Sequence, residues 1–226
     1  MDPPLVLDID GTMTRPTEWG IDPRLFDPLF EWDAPVVLAT GKSFPYPVAL
    51  SQFLWVRPRV VAETGGIIYD GETVEFTADR EATRAVVEAY LDRGHSLGWG
   101  DVDVANRWRE TEVAVQRDQP LEPLEALAAE HGLHVVDSGY AYHVKDPSVT
   151  KGAGVERLAE TVGFDIDEAV AVGDSANDVS TFGVVGRSFA VGNADEAAKA
   201  AADEVLEAEH ANATLDLLER LKNSRN

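Results

Sequence analysis

The chain has 226 residues, with 41 acidic against 19 basic side chains for a formal net charge of −22, 44 % apolar residues and no cysteine. That length and apolar share suit one large domain or two small ones with a core to bury, and the charge argues against nonspecific binding to nucleic acid or anionic membrane. Lack of cysteine excludes disulfides, thiolate metal sites and cysteine nucleophiles.

The first predicted strand is Leu5–Asp8, which runs straight into Gly11-Thr12. A helix is predicted over Asp22–Trp32, a strand over Val36–Ala39, a helix over Tyr46–Leu54 and a strand over Arg59–Ala62. The alternation is then interrupted over residues 79–146. Within that segment Arg80–Leu91 and Leu121–Glu130 read as helices, and Glu112–Arg117, Leu133–Asp137 and Tyr140–Lys145 as strands, the last two joined as a hairpin at Ser138-Gly139. Beyond it come a helix over Gly152–Val162, a strand over Ala169–Gly173, a helix over Asn177–Val184, a strand over Ser188–Val191 and helices over Ala194–Ala202 and Ala213–Lys222. Short apolar strands alternating with helices predict an α/β fold with a parallel sheet buried on both faces. Residues 1–78 and 147–226 form its expected core, and residues 79–146 an inserted small α+β unit. Neither a leader peptide nor a run of about eighteen apolar residues is evident, so a soluble, cytoplasmic protein is expected.

Ligand sites of open α/β sheets gather at the carboxyl ends of the strands. At the first such end stand Asp8-Ile9-Asp10-Gly11-Thr12. On a regular strand, carboxylates at i and i+2 face the same way and repel. A divalent cation such as Mg²⁺, which selects hard oxygen ligands, makes that proximity useful; a solvated turn is the plainer alternative. A helical calcium loop is ruled out, because its glycine and glutamate positions hold Met13 and Trp19. The second strand exits through Thr40-Gly41-Lys42-Ser43, where a hydroxyl and freely oriented amides suit phosphate or simply make a turn. The fourth exits through Gly173-Asp174-Ser175-Ala176-Asn177-Asp178, two carboxylates one helical turn apart, or a helix cap. Lys151 opens a predicted helix, where an isolated lysine is ordinarily solvated.

Together these motifs resemble the haloacid dehalogenase-like superfamily of aspartate-nucleophile phosphatases, with its Rossmann-like parallel-sheet core. All four of the superfamily's motifs find a match, in Asp8-Ile9-Asp10-Gly11-Thr12, Thr40-Gly41, Lys151 and Gly173–Asp178. The resemblance implies that Asp8 attacks phosphorus, that Asp10 serves as general acid and then base, and that Thr40, Gly41 and Lys151 hold phosphate oxygens. It implies Mg²⁺ as cofactor, held by Asp8, Asp10 (through its backbone carbonyl), Asp174 and Asp178.

An insert between the third strand and Lys151 resembles the C2-type cap, which in that superfamily supplies substrate contacts. Within it Arg107, Trp108, Arg109, His143 and Lys145 stand out in an acidic chain, and arginine's fork matches the carboxylate of a small phosphorylated acid. A solvated loop and an edge strand account for the same residues. The stretches Ala62–Tyr69 and Ala190–Ala194 look most like archaeal-type phosphoglycolate phosphatases, although Thr64-Gly65 and Glu209-His210-Ala211-Asn212 depart from that group's usual pattern. The expected partner is therefore a small phosphorylated metabolite, 2-phosphoglycolate above all. A sugar-phosphate phosphatase or phosphomannomutase-like transferase is the neighbouring reading, and a non-catalytic receiver-like metal-binding module the remote one. Only five basic residues are lysines (Lys42, Lys145, Lys151, Lys199 and Lys222), a balance similar to that of proteins adapted to high salt.

Overall fold

Leu5, Val6 and Leu7 are all buried, as a strand covered on both faces requires. They form β1 (Leu5–Leu7) in a computed structural model that describes residues 1–16 and 20–224. Trp19, which served to rule out the calcium loop, lies outside the described residues. The chain continues through α1 (Phe26–Phe30), β2 (Val36–Ala39), α2 (Pro45–Phe53), β3 (Val60–Ala62), β4 (Ile67–Tyr69) and β5 (Val74–Phe76). Next come α3 (Arg80–Asp92), β6 (Val113–Gln116), α4 (Leu121–Glu130), β7 (His134–Asp137) and β8 (Ala141–Lys145). The last stretch holds α5 (Lys151–Val162), β9 (Val170–Gly173), α6 (Val179–Phe182), β10 (Arg187–Ala190), α7 (Glu196–Ala201), β11 (Glu204–Val205) and α8 (His210–Asn223).

One sheet of eight strands runs in the order β11-β10-β9-β1-β2-β3-β4-β5. It is parallel from β11 to β3, with Leu5 opposite both Val36 and Val170, and antiparallel where β4 and β5 are added. β1 therefore sits where the strand order reverses, and a crevice opens beyond the carboxyl ends of β1, β2 and β9. Its core gathers Leu5, Leu7, Val37, Leu38, Val172, Phe189 and Leu217 into one cluster. A second, three-stranded antiparallel sheet, β6-β8-β7, packs against α3 and α4 around its own cluster of Val86, Tyr90, Val115, Leu124, Leu127 and Val144. Between β7 and β8 the turn passes through Gly139 at φ +79°, where glycine avoids a Cβ penalty. Among the described residues no helix is long and apolar enough to cross a membrane.

Three of the predicted helices shorten. In place of Asp22–Trp32 the chain makes a 3₁₀ turn at Pro23–Leu25 and then the five-residue α1, since Pro28 has no N–H to extend a helical ladder. Asn177–Val184 reduces to a 3₁₀ turn at Ala176–Asp178 followed by α6, which stops at Gly183. Ala194–Ala202 becomes α7, which starts where the Asp195 side chain caps the Ala198 amide. The C-terminal helix instead lengthens, from Ala213–Lys222 to His210–Asn223. Strands β4, β5 and β11 carry no sequence expectation. Two of the three residues of β5 are exposed and β11 has two residues, so neither has the buried apolar run that marks the others.

Candidate active site

β1 ends at Leu7, one residue short of the sequence expectation, and this separates the two leading aspartates. Asp8 donates its N–H to Val172 O at 3.0 Å and is buried, whereas Asp10 lies in the following turn with an exposed carboxylate 3.1 Å from Lys42 Nζ. The two do not share a face as they would on a continuing strand. The turn depends on Gly11, whose φ is +72° and whose missing Cβ would strike the Asp174 carboxylate. No other residue fits there without displacing Asp174.

The remaining motifs arrive from neighbouring elements. Thr40, at the exit of β2, is buried, and its Oγ1 accepts from the Lys42 amide at 3.1 Å. Lys151 opens α5 with no exposure at all. Its Nζ donates to Asp8 Oδ1 at 2.6 Å and to Asp178 Oδ1 at 2.7 Å, so it is not the solvated lysine that its position alone suggests. Asp178 does cap a helix: its Oδ2 accepts from the Asp174 and Ser175 amides at 3.0 and 3.1 Å. Its other oxygen serves Lys151, so capping and site geometry coincide in one carboxylate.

Asp8, Asp174 and Asp178 each place a carboxylate oxygen within 4.8 Å of the others. Asp10 is not part of this group by its side chain. Burial, then the charge of Asp178, push Asp174 up to about 7, against the pull of Lys151. Burial likewise raises Asp8 well above the ordinary carboxylate range, although Lys151 opposes it. For Lys151 burial alone would lower the pKa, but Asp178 and Asp8 more than reverse it, and the ammonium stays charged. Three carboxylates thus face one ammonium in a poorly solvated site. Oxygen-only donors with surplus negative charge fit a hard divalent cation.

A cavity of about 580 Å³ has Asp8, Asp10, Thr40, Gly41, Asp174 and Asn177 along one wall. The opposite wall is Arg109, Ala114, Ser138, Tyr140 and His143 from the second sheet and the loop before it. Arg109 Nη1 donates to Gly41 O at 3.0 Å and also pairs with Glu112. Of the other residues singled out in that segment, Arg107 and Trp108 are exposed and away from the cavity lining, and Lys145 is buried beside Glu112.

Sequence reasoning missed Glu112, Thr64 and Glu63. Glu112 is buried, with Oε1 3.4 Å from His143 Nδ1 and Oε2 accepting from Thr64 Oγ1 at 3.3 Å. Burial alone would raise its pKa, but Arg109, His143 and Lys145 outweigh it and hold the carboxyl below its usual range. Glu63 and Thr64 adopt left-handed φ values of 49° and 56°, uncommon for residues with a Cβ. The Glu63 side chain accepts from the Thr111 amide and hydroxyl, both at 2.7 Å, and ties the end of β3 to the segment before β6. The pattern gives no sign of these contacts, because the partners lie 47 or 48 residues apart.

Residues 114–218 match the haloacid dehalogenase-like hydrolase family. A protein of Halobacterium salinarum named phosphoglycolate phosphatase is 52 % identical over 221 residues, covering 98 % of both chains. Another of that name from Halorubrum lacusprofundi is 53 % identical over 225 residues, again covering 98 % of each. Among solved structures, a Thermoplasma acidophilum protein superposes with a TM-score of 0.82 at 25 % identity, covering 98 % of this chain and 99 % of that one. A haloacid dehalogenase-like hydrolase from Bacteroides thetaiotaomicron reaches 0.77 at 21 % identity over 99 % of both chains.

Proposed function

Because the chain belongs to the haloacid dehalogenase-like hydrolases, we propose that it is an Mg²⁺-dependent phosphomonoester hydrolase acting on 2-phosphoglycolate. The observation that carries this reading is the buried Lys151 joining Asp178 to Asp8, which lines a cavity together with Asp10 and Thr40. Asp8 is the nucleophile. Its carboxylate attacks phosphorus, the ester P–O bond breaks, and Asp10 gives its proton to the departing alkoxide. Asp10 then takes a proton from the water that attacks the aspartyl-phosphate, which releases inorganic phosphate and restores Asp8. The exposure of Asp10 in the turn beyond β1 suits a group that must exchange protons with solvent and substrate in turn.

A phosphoryl group in flight spreads negative charge over its equatorial oxygens, so positioned donors do most of the work. Lys151, the Thr40 hydroxyl and the Gly41 amide hold those oxygens. Asp8, Asp174 and Asp178 would hold the Mg²⁺, with the Asp10 carbonyl as a further ligand; when bound, the ion neutralises charge shared by the phosphate and the carboxylates. Residues 79–146 act as a cap over the site. The choice of 2-phosphoglycolate rests on the relatives of that name and on the cationic Arg109 in the cavity wall.

The test is a panel of phosphate esters assayed with Mg²⁺ at molar KCl. A kcat/KM for 2-phosphoglycolate well above that for hexose phosphates is expected. Parity, or preference for a hexose phosphate, would move the chain to the sugar-phosphate reading.

A further inference from the structure

Arg109 and His143 both border the cavity, on either side of the buried Glu112 that holds them. Glu112 spends Oε1 on these two groups and Oε2 on the Thr64 hydroxyl, so its own charge is not presented to a ligand. Thr64 belongs to the main sheet's β3–β4 connection, which fixes this cluster against the wall that carries Asp8. Arg109 is in turn anchored through Nε to Ala105 O at 3.1 Å and through Nη1 to Gly41 O. Its Nη2 takes no partner among the described residues. The guanidinium is thus fully braced yet retains a donor, and its side chain keeps only 11 % exposure.

We infer that Arg109, through its free Nη2, is the recognition wall for the substrate's carboxylate, and that Glu112 is the positioning residue that aims it; His143, with Nδ1 toward Glu112 and Nε2 3.2 Å from Ser138 Oγ, braces Glu112 from the other side. Resting on the phosphatase reading above, this names the group by which that site selects its substrate. The spacing supports a short molecule. Gly41, whose amide holds the phosphate, also carries the carbonyl to which Arg109 is bonded. Arg109 is thereby held directly beside the phosphate cradle. A phosphate and a carboxylate separated by a single CH₂–O linkage suit that closeness, and a hexose phosphate offers no charge there. Nη2, the one guanidinium nitrogen left free among the described residues, supplies a charge-assisted donor for the carboxylate.

The experiment compares kcat/KM for 2-phosphoglycolate and for ethyl phosphate, which has the same linkage without the carboxylate, in the wild type and in Arg109→Met. The wild-type ratio should favour phosphoglycolate, and Arg109→Met should lower that ratio about 10- to 100-fold, mainly through KM. A ratio unchanged in a folded variant, or both substrates falling together, overturns the wall. A wild type with no preference for phosphoglycolate overturns the substrate assignment itself, and the wall with it. If Arg109→Met does not fold, Arg109→Lys carries the same test, because a lysine keeps the charge beside Glu112 but offers no Nη2. It should lower the ratio several-fold, and an unchanged ratio there overturns the inference.

Discussion

Lys151 Nζ lies 2.6 Å from Asp8 Oδ1, with the lysine fully buried and Asp8 open only toward the cavity, although the two residues are 143 positions apart in the chain. Among the described residues, this ammonium is the one counter-charge hydrogen-bonded to both Asp8 and Asp178. Removing one partner of a buried ion pair leaves the other charged and desolvated, which costs roughly 3–5 kcal/mol. Lys151→Met is therefore expected to lower the unfolding free energy by about that amount, measured by denaturant titration in the absence of Mg²⁺. A variant as stable as the wild type would show that the pair contributes little to the fold.

Asp8→Asn separates chemistry from structure at the same contact. The amide is nearly isosteric, and Lys151 keeps its bond to Asp178. Stability should change little, while kcat falls roughly 10⁴-fold or more, as expected when a nucleophile is removed. Single-turnover hydrolysis beside a thermal melt reads both, and substantial residual turnover would remove Asp8 as the nucleophile.

Asp10 and Asp174 should fail in different ways. The Asp174 carboxylate belongs to the cluster with Asp8 and Asp178, whereas that of Asp10 points toward Lys42. Asp174→Asn is expected to raise the Mg²⁺ concentration for half-maximal rate at least about 10-fold. Asp10→Asn should leave that requirement in place and lower kcat about 10²–10⁴-fold, the range for losing general acid–base help. Rate titrations with Mg²⁺ at saturating substrate distinguish the two, and matching shifts in both variants would contradict the division of roles.

The strand exits were legible because buried parallel strands read as continuous apolar runs, and each of β1, β2 and β9 announces its end with a change to Asp, Thr-Gly or Gly-Asp. Their convergence follows from the sheet order alone. What sequence could not carry was the relation of Asp8 to Asp10, which turns on whether the strand stops at Leu7 or continues. Glu112 was hidden for a different reason. A glutamate just before a strand is ordinarily solvated, and only the approach of Thr64, Arg109 and His143 makes it a buried hub. β5 escaped notice because a three-residue strand with two exposed residues buries too little to leave a pattern.

Glu112 gives a pH signature. Its carboxyl is held below the ordinary range by Arg109, His143 and Lys145 acting against burial. A depressed folded pKa means that the ionised group contributes stability above the unfolded value, about 4.3, and that this contribution is lost as pH falls through the folded value. Glu112→Gln should thus be less stable than the wild type at pH 7, with the gap narrowing below about pH 4.3. Glu63, raised chiefly by burial, works in the opposite sense, and the Glu112 charge adds a smaller upward push that the substitution removes. Paired unfolding curves from pH 7 down to the acid limit measure the gap, and a constant difference would contradict the depressed pKa.

The net charge of −22 predicts how stability responds to salt. With 41 acidic side chains against 19 basic ones, compaction brings like charges together, and the folded state carries the cost of that self-repulsion. At low ionic strength the repulsion reaches across the surface; at 1 M salt the screening length falls to about 3 Å and only neighbouring charges interact. Exposed pairs such as Arg57–Glu72 and Arg84–Glu81 weaken at the same time, but they contribute little to begin with. Repulsion outweighs them, so Tm should rise as KCl increases from about 0.1 M to the molar range, where screening is nearly complete. The buried Lys151–Asp8–Asp178 contacts are shielded by protein and should keep their strength throughout. Lys151→Met should therefore lower Tm by a similar amount at both ends of the salt range, whereas a wild-type Tm indifferent to KCl would show that self-repulsion does not limit this fold.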